Sequence, residues 1–327
     1  MTSPVLFSPP RNLDCGSQNG ESFEHSDPEL FAATAKRKID FGGYRMGPLN
    51  PKELLLCLDV LKLEPSALRV KDLATLNTLI KAHVERIPYQ NIDVFLGHQT
   101  PLDDDSVFCK VIKQRRGGCC MELNNIFGRL LLTLGFKFNI RAARVRWSRP
   151  MDSSLTPLTH MLLCVDLDEE GEYFADMGFG GGPNPFKALP VEGEAEPYRA
   201  RRLDEEGNIE VAIKWTGRDG ASPTWRPLFD VFAPPQNWID FVPVYWYFKL
   251  HPRSLLRHTL MVGRFDDDSW LMLVDGRFSR RSTIGQVEQR HIKDVEEVLR
   301  LFDTEFALQL NPDVNLDFLR SRIRSVI

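Results

Sequence analysis

The chain has 327 residues, more than an average single domain, and its 43% hydrophobic and 26% charged residues are typical of a globular protein. Its 41 basic and 45 acidic side chains leave a formal net charge of −4, which gives no reason to expect nucleic acid or a membrane surface as a partner. The sequence has neither an apolar run long enough to span a bilayer nor the pattern of a signal peptide, so we expect a soluble protein of the cytoplasm.

The first part of the chain predicts a polar head followed by two helices. Residues 1–45 are polar and rich in Ser, Pro, Asn, Gly and Glu without a sustained period, so we expect a flexible head. Asn50 can cap a helix, Pro51 takes its first position, and Glu53 completes a capping box. A second apolar pattern of helical period ends before Pro88, because a residue that precedes proline disfavours the helical conformation.

The stretch Arg116–Asn124 has the clearest chemical character. Gly117 and Gly118 permit a tight turn, and the apolar residues that follow recur at helical spacing until Gly135. Cys120 is therefore expected at a helix N-terminus, where unpaired N–H groups and the helix dipole favour a thiolate over a thiol. Most cysteines serve packing instead, so a nucleophile also requires a base and a group that orients the base.

Strands are predicted after this helix, and two of them carry a polar residue. Alternating or apolar runs occur at 138–147, around His160, around Asp176 and at 209–215. We expect them to form an antiparallel sheet or a small barrel. A lone buried histidine is usually a core residue, and an aspartate before glycines is usually a turn former. Downstream of a helix-capping cysteine, the two together can supply the base and its orienting partner.

The remaining sequence gives structural signals. The range 225–247 is dense in aromatic residues and prolines, for which core packing is a simpler interpretation than an aromatic pocket. Leu271–Val274 followed by Asp275-Gly276 is typical of a hairpin, and the spacing of apolar residues over 295–302 predicts a helix. The six cysteines show no metal-like spacing, so we expect free thiols and no metal site.

These motifs resemble those of the arylamine N-acetyltransferase family. The pattern Arg-Gly-Gly-x-Cys-x-Glu-x-Asn is followed by a Thr-His strand 40 residues after the cysteine (120 to 160) and by Asp-x-Gly-Phe-Gly 16 residues later (160 to 176). In addition, Pro88-Tyr89-Gln90-Asn91 is similar to the family's Pro-Phe-Glu-Asn. The resemblance implies a catalytic triad of Cys120, His160 and Asp176.

The resemblance also implies an α+β fold with a cysteine-protease-like core. Its parts would be an N-terminal helical bundle with the nucleophile (46–136), an antiparallel β-barrel subdomain with the histidine and aspartate (137–245) and a C-terminal α/β lid (246–327). The substrate and coenzyme A would contact six residues beside the triad: Cys119, Thr159, Gly178, Phe179, Gly180 and Gly181. We assign Arg116 to a structural ion pair, and Glu122 and Asn124 to supporting hydrogen bonds.

The residue types are suited to transfer of an acyl group in two stages. His160, oriented by Asp176, would take the proton of Cys120, and the resulting imidazolium would stabilise the thiolate. Attack on acetyl-coenzyme A exchanges one thioester for another, and an amine then collects the acyl group. The resemblance implies an aromatic amine or hydrazine as the acceptor, acetyl-coenzyme A as co-substrate, no permanently bound cofactor, and a role in xenobiotic detoxification. We expect a monomer.

Alternatives to the acetyl donor and to the transferase activity stay open. Cys119 stands where the family usually has an aromatic residue and Pro157 where relatives often have a smaller one, so propionyl- or malonyl-coenzyme A could replace the acetyl donor. A transglutaminase-like enzyme shares the order Cys, His, Asp. A thiol hydrolase would use the same triad, although the papain-like arrangement has a far wider separation and Asn as its third member. The non-enzymatic alternative is a binding protein that has kept the fold.

Overall fold

The computed structural model describes residues 45–68, 70–98, 100–149, 155–216 and 222–327. These residues all belong to one compact unit. The head predicted at residues 1–45 lies outside the described residues except for Arg45, and it stays a prediction.

Helices dominate the first part of the described chain. They are α1 (Pro51–Leu61), α2 (Leu73–Arg86), α3 (Ile92–Leu96), α4 (Asp104–Phe108) and α5 (Cys120–Leu134). The capping box of α1 is confirmed, since Asn50 Oδ1 accepts the N–H of Glu53 at 3.0 Å and the Glu53 carboxylate accepts the N–H of Asn50 at 3.0 Å. Helix α5 ends as predicted at Gly135, which has a φ of +80° that favours glycine.

The described strands form two sheets in which every named pair is antiparallel. The strands are β1 (Tyr89–Gln90), β2 (Lys137–Val145), β3 (Leu158–Asp166), β4 (Glu172–Ala175), β5 (Leu189–Pro190), β6 (Gly193–Ala195), β7 (Tyr198–Arg202), β8 (Ile209–Trp215), β9 (Thr224–Val231), β10 (Met261–Asp266), β11 (Ser269–Val274), β12 (Arg277–Ser282) and β13 (Val287–His291). The remaining helices are α6 (Phe241–Leu250), α7 (Leu255–His258), α8 (Val295–Thr304) and α9 (Leu316–Arg324).

The larger sheet has eight strands in the order β5-β4-β3-β2-β9-β8-β7-β6. Its edge strands β5 and β6 are joined by only two residues, Val191 and Glu192, so the sheet curves into a nearly closed barrel. Strand β2 ends at Val145, two residues before the predicted end, because the N–H groups of Arg146 and Trp147 both bond the same carbonyl, that of Leu228.

The smaller sheet has the order β1-β10-β11-β12-β13 and packs against α8 and α9. Its first strand belongs to the N-terminal part of the chain, where Tyr89 pairs with Gly263 of β10. The predicted hairpin is confirmed, because β11 and β12 are joined by Asp275 and Gly276. The short β1 therefore links the N-terminal helices to the C-terminal sheet.

Helix α5 is central, since every residue from Cys120 to Leu131 is buried. One hydrophobic core joins this helix to the barrel, and a second lies between the smaller sheet and the C-terminal helices. The predicted α+β class is confirmed, whereas the subdomain boundaries stay a prediction. Among the described helices, none combines the length and the apolar character required to cross a membrane.

Candidate active site

Cys120 is the first residue of α5, as the sequence predicts. The chain reaches it through Gly117, which has a φ of +60°. A Cβ atom on Gly117 would lie 2.2 Å from the carbonyl oxygen of Pro88, so no larger residue fits this turn. The helix therefore begins at a fixed place, with the sulfur beside the unpaired N–H groups of the first turn.

His160 and Asp176 come together as predicted. His160 lies on β3 and Asp176 directly follows β4, and the two strands are hydrogen-bonded neighbours. The imidazole Nε2 is 2.6 Å from Asp176 Oδ2, and both side chains are almost completely buried. Because Nε2 is engaged by the carboxylate, Nδ1 is the ring nitrogen left to face the sulfur of Cys120, to which His160 is hydrogen-bonded.

Asn124 connects the three members of the triad. Its Nδ2 donates to the carbonyl oxygens of Cys120 at 3.0 Å and Met161 at 2.8 Å, and to Asp176 Oδ1 at 3.2 Å. Its Oδ1 accepts the N–H of Met177 at 3.1 Å. One buried amide on α5 thus holds the helix, the strand of the histidine and the loop of the aspartate, which agrees with the supporting role assigned from the sequence.

The electrostatics of the site favour an ion pair between sulfur and imidazole. A hydrogen bond from Cys119 is the largest influence on Cys120; burial opposes it and His160 reinforces it, and the pKa of Cys120 falls to about 5. Burial alone would lower the pKa of His160, but the charge and hydrogen bond of Asp176, together with Cys120, raise it to about 10. Between these values the pair exists as thiolate and imidazolium.

Gly178 and Gly180 of the glycine-rich loop lie against protein groups. A Cβ on Gly178 would be 2.5 Å from Cys120 Cα, and a Cβ on Gly180 would be 1.9 Å from Cζ of the Tyr89 ring. Gly181 has a φ of +76° and lies beside Met261. Their predicted contacts with substrate or coenzyme A stay a prediction.

The other predicted binding residues differ in their distance from the histidine. Phe179 is buried, with its ring centroid 5.4 Å from that of His160. Cys119 is buried next to the nucleophile. Thr159 precedes His160 on β3, so its side chain points to the opposite face of the strand, where its hydroxyl donates to the carbonyl oxygen of Pro157 at 3.3 Å. A role of these residues in substrate binding stays a prediction.

Two side chains that shape the site were not predicted from the sequence. Phe229 of β9 packs against His160, with ring centroids 5.1 Å apart. Asn184 accepts the N–H of Phe179 at 2.5 Å and donates to the carbonyl oxygen of Asp176 at 3.0 Å. The available signal for Asn184 was its position between two prolines directly after the glycine-rich loop, where a side chain can bond the backbone of a turn.

A group of buried charged side chains lies beneath the Gly117–Cys119 turn that precedes Cys120, called here the cysteine turn. Arg116 pairs with Asp93, which confirms its assignment to a structural ion pair. Glu122 accepts the N–H of Cys119 at 2.9 Å and pairs with Lys110 at 2.8 Å. Within the described ranges, no cluster of three or more His, Cys, Asp or Glu side chains could hold a metal ion, and the described cysteines are free thiols.

Comparisons with known proteins identify similar sequences. Residues 72–314 match the family model described as N-acetyltransferase. A relative from Salmonella typhimurium, named arylamine N-acetyltransferase / N-hydroxyarylamine O-acetyltransferase, is 32% identical over 269 residues, which are 81% of this chain and 92% of the relative. The arylamine N-acetyltransferase of Mycolicibacterium smegmatis is 30% identical over 263 residues, 78% of this chain and 92% of the relative.

Solved structures extend the similarity to the fold. The arylamine N-acetyltransferase of Mycobacterium marinum has a TM-score of 0.75 at 26% identity, and the match covers 84% of this chain and 99% of that one. The same protein in complex with CoA gives a TM-score of 0.75 at 25% identity, with the same two coverages. The enzyme from Salmonella typhimurium gives 0.74 at 28% identity, covering 85% of this chain and 100% of the other.

Proposed function

The chain belongs to the arylamine N-acetyltransferase family, and we propose that it transfers an acetyl group from acetyl-coenzyme A to the nitrogen of an aromatic amine or hydrazine. The observation that carries the proposal is the buried arrangement of Cys120, His160 and Asp176, in which the carboxylate holds one imidazole nitrogen at 2.6 Å and leaves the other for the sulfur. The relatives' names supply the substrate class, and the charges of the triad supply a nucleophile at neutral pH.

In the first stage, the Cys120 thiolate attacks the thioester carbonyl of acetyl-coenzyme A. The new bond joins the sulfur of Cys120 to the acetyl carbon, the bond between that carbon and the coenzyme A sulfur breaks, and the His160 imidazolium can protonate the departing thiolate. One thioester replaces another, so the acetyl group keeps its reactivity on the protein. Coenzyme A leaves before the acceptor reacts.

In the second stage, the amine attacks the acetyl-cysteine. Neutral His160 takes the proton that the amine loses, and the Cys120 thiolate leaves, which restores the ion pair. The oxyanion of each stage requires backbone donors. The N–H groups of Cys120 and Met121 lie in the first turn of α5 and have no acceptor within the helix, so they are the candidate donors.

The surroundings of the triad favour a neutral acyl group. The rings that contact His160 are those of Phe179 and Phe229. The buried ammonium group of Lys110 already forms ion pairs with two carboxylates, those of Asp93 and Glu122. A malonyl group would bring a further carboxylate into this apolar space, which is unfavourable without a cation to pair it. We therefore rank acetyl and propionyl above malonyl as the donor.

Intact mass after mixing with acetyl-, propionyl- or malonyl-coenzyme A tests the proposal. We expect an acetyl adduct that peptide mapping locates on Cys120 and that an aromatic amine removes. A label that only water removes would favour a hydrolase, and labelling by a glutamine-containing peptide instead would favour a transglutaminase-like enzyme. If no donor labels the protein, the transferase proposal is wrong. The cytoplasmic location, the monomeric state and a role in xenobiotic detoxification stay predictions.

A further inference from the structure

Lys110 is a buried ammonium group that the proposed chemistry does not use. It lies on a single π-helical turn, Cys109–Lys113, which continues α4. Such turns are rare and are often found at functional sites. Its side chain is 7% exposed, whereas Lys113 on the same turn is exposed. The wider turn therefore directs one lysine into the interior and leaves a second lysine in solvent.

Lys110 joins two buried carboxylates that belong to different helices. Its Nζ is 2.8 Å from Glu122 Oε1, 2.9 Å from Glu122 Oε2 and 2.8 Å from Asp93 Oδ2. Asp93 of α3 is also held by Arg116, which directly precedes the two glycines of the cysteine turn. A buried ammonium group with two carboxylate partners is well compensated, and the pKa of Lys110 lies above its usual value because these charges outweigh the effect of burial.

Glu122 connects Lys110 to the turn that precedes the nucleophile. Its Oε2 accepts the N–H of Cys119 at 2.9 Å. A Cβ on Gly118 would lie 2.9 Å from Glu122 Cβ and 3.0 Å from Oε2, so the side chain of Glu122 fills the space directly under the turn. The hydroxyl of Tyr245, on α6, donates to Oε1 at 3.0 Å. The position of Cys119, and with it the first residue of α5, thus depends on where Lys110 holds this carboxylate.

The same contact compensates a buried charge in the first turn of the helix that carries the nucleophile. Glu122 lies two residues after Cys120 in the first turn of the helix, and both side chains are buried. An uncompensated carboxylate at this depth would oppose formation of a thiolate, because two negative charges in a low-dielectric interior repel each other. Lys110 compensates that charge through its ion pairs with Glu122 and Asp93.

We propose that Lys110 is a positioning residue of the transfer reaction. Through Glu122 it fixes the Gly118–Cys119 turn, and it compensates the buried charge of Glu122 two residues after the nucleophile. The inference rests on the proposed role of Cys120. The other titratable or charged groups that face this region come from α3 and the residues after it, β1, the turn before α5, β3, the loop after β4 and α6. They are Asp93, His98, Tyr89, Arg116, Cys119, His160, Asp176, Tyr245 and Lys249.

Alkylation of Cys120 by iodoacetamide as a function of pH tests the proposal without any acyl donor. In Lys110→Met the uncompensated Glu122 should raise the pH at which alkylation of Cys120 is half-maximal by about one pH unit. At pH 5 the variant should therefore be alkylated about fivefold more slowly than the wild type. The kcat for acetyl transfer should fall about tenfold with little change in the KM for the amine, because Lys110 pairs with Asp93 and Glu122 and its loss changes the position of Cys120. Lys110→Arg, which keeps the charge, should recover most of both properties.

Two further variants distinguish an effect of the Glu122 charge from an effect of altered folding. Glu122→Gln keeps an acceptor for the Cys119 N–H but removes the negative charge, so the midpoint for Cys120 should fall or stay low. Adding this change to Lys110→Met should bring the midpoint back towards the wild-type value. Lys113→Met is the matched control on the same turn and should alter neither the midpoint nor kcat.

The inference is wrong if Lys110→Met folds with the wild-type pH profile and kcat, or if the double variant retains the full shift. Should Lys110→Met fail to fold, Glu122→Gln alone decides, because a raised midpoint in that variant contradicts the charge argument. Failure of the transferase proposal is seen separately. If the transferase proposal is wrong, acetyl-coenzyme A does not acylate wild-type Cys120, but the pH profile for alkylation of Cys120 can still be measured.

Discussion

Replacement of Asp176 by Asn should disable His160 while leaving the fold intact. Asp176 Oδ1 accepts the N–H of Gly178 at 2.9 Å and a bond from Asn124 at 3.2 Å, so only an oxygen fits that position. The amide nitrogen of the new Asn must therefore face His160 Nε2, where the carboxylate now lies at 2.6 Å. It would donate to Nε2, and the ring proton would move to Nδ1, the nitrogen that must accept the proton of Cys120.

The size of the effect follows from the pKa values. Without the carboxylate, burial is opposed only by Cys120, so the pKa of His160 falls from about 10, and Cys120 is left with less of the imidazolium that helps to hold its own pKa near 5. If the pKa of Cys120 rises by about two units, alkylation at pH 5.5 slows about 25-fold, while the rates converge above pH 9. Loss of the general base adds a further factor, so kcat should fall about a thousandfold or more.

Iodoacetamide alkylation from pH 4 to pH 10 and steady-state acetyl transfer measure the two effects independently. Asp168→Asn is a suitable control, since Asp168 is an exposed turn residue with a φ of +54°, a conformation that Asn tolerates. An Asp176→Asn protein that keeps both an alkylation midpoint near pH 5 and its turnover would refute the assignment of His160 and Asp176.

Three further predictions concern the neighbours of the triad. Cys120→Ala should abolish acylation and turnover. Cys119→Ala should keep most turnover at pH 8 but raise the pH midpoint for alkylation of Cys120, because the hydrogen bond from Cys119 is lost. Cys119→Ser should limit that rise because it retains a hydrogen-bond donor. Gly180→Ala should lower kcat/KM at least about tenfold, since the new methyl group would overlap the Tyr89 ring; Gly263→Ala, whose methyl group meets only ordinary contact, is the control for both activity and Tm. Asn184→Ala should cost about 1–3 kcal/mol in urea denaturation, because the N–H of Phe179 loses its hydrogen-bond acceptor. Phe179 is a predicted substrate contact, so the KM for the amine should also rise; an unchanged KM would show that Asn184 does not position Phe179 for binding the amine.

The local parts of the site were predictable from the sequence. A helix that begins at Cys120 and ends at Gly135 follows from glycines and apolar spacing within twenty residues, so no tertiary information is needed. The juxtaposition of His160 and Asp176 follows from two successive strands joined by a short turn, which pair as neighbours. For the range 225–247, the expectation of core packing is met by Phe229, whereas Trp246 is half exposed.

The charge network was not predictable, because packing alone brings its members together. Lys110 and Glu122 are 12 residues apart, and Tyr245 is 123 residues from Glu122. The π-helical turn that directs Lys110 inward has no signal in the sequence. The sequence also does not show that Gly178 packs against Cys120 and Gly180 against the Tyr89 ring, because these contacts join residues that are far apart in the chain.

The nucleophile is therefore held from two sides by buried charges that do not touch each other. On one side, Asp176 and His160 come from the barrel and stabilise the thiolate; on the other, Lys110 and Glu122 come from the helical part and fix the turn. Asn124 is the link, since it bonds the barrel strand, the aspartate and the helix at once. A change that loosens α5 against β3 should therefore separate sulfur from base before it unfolds either part, so activity should be lost at a lower temperature than tertiary structure.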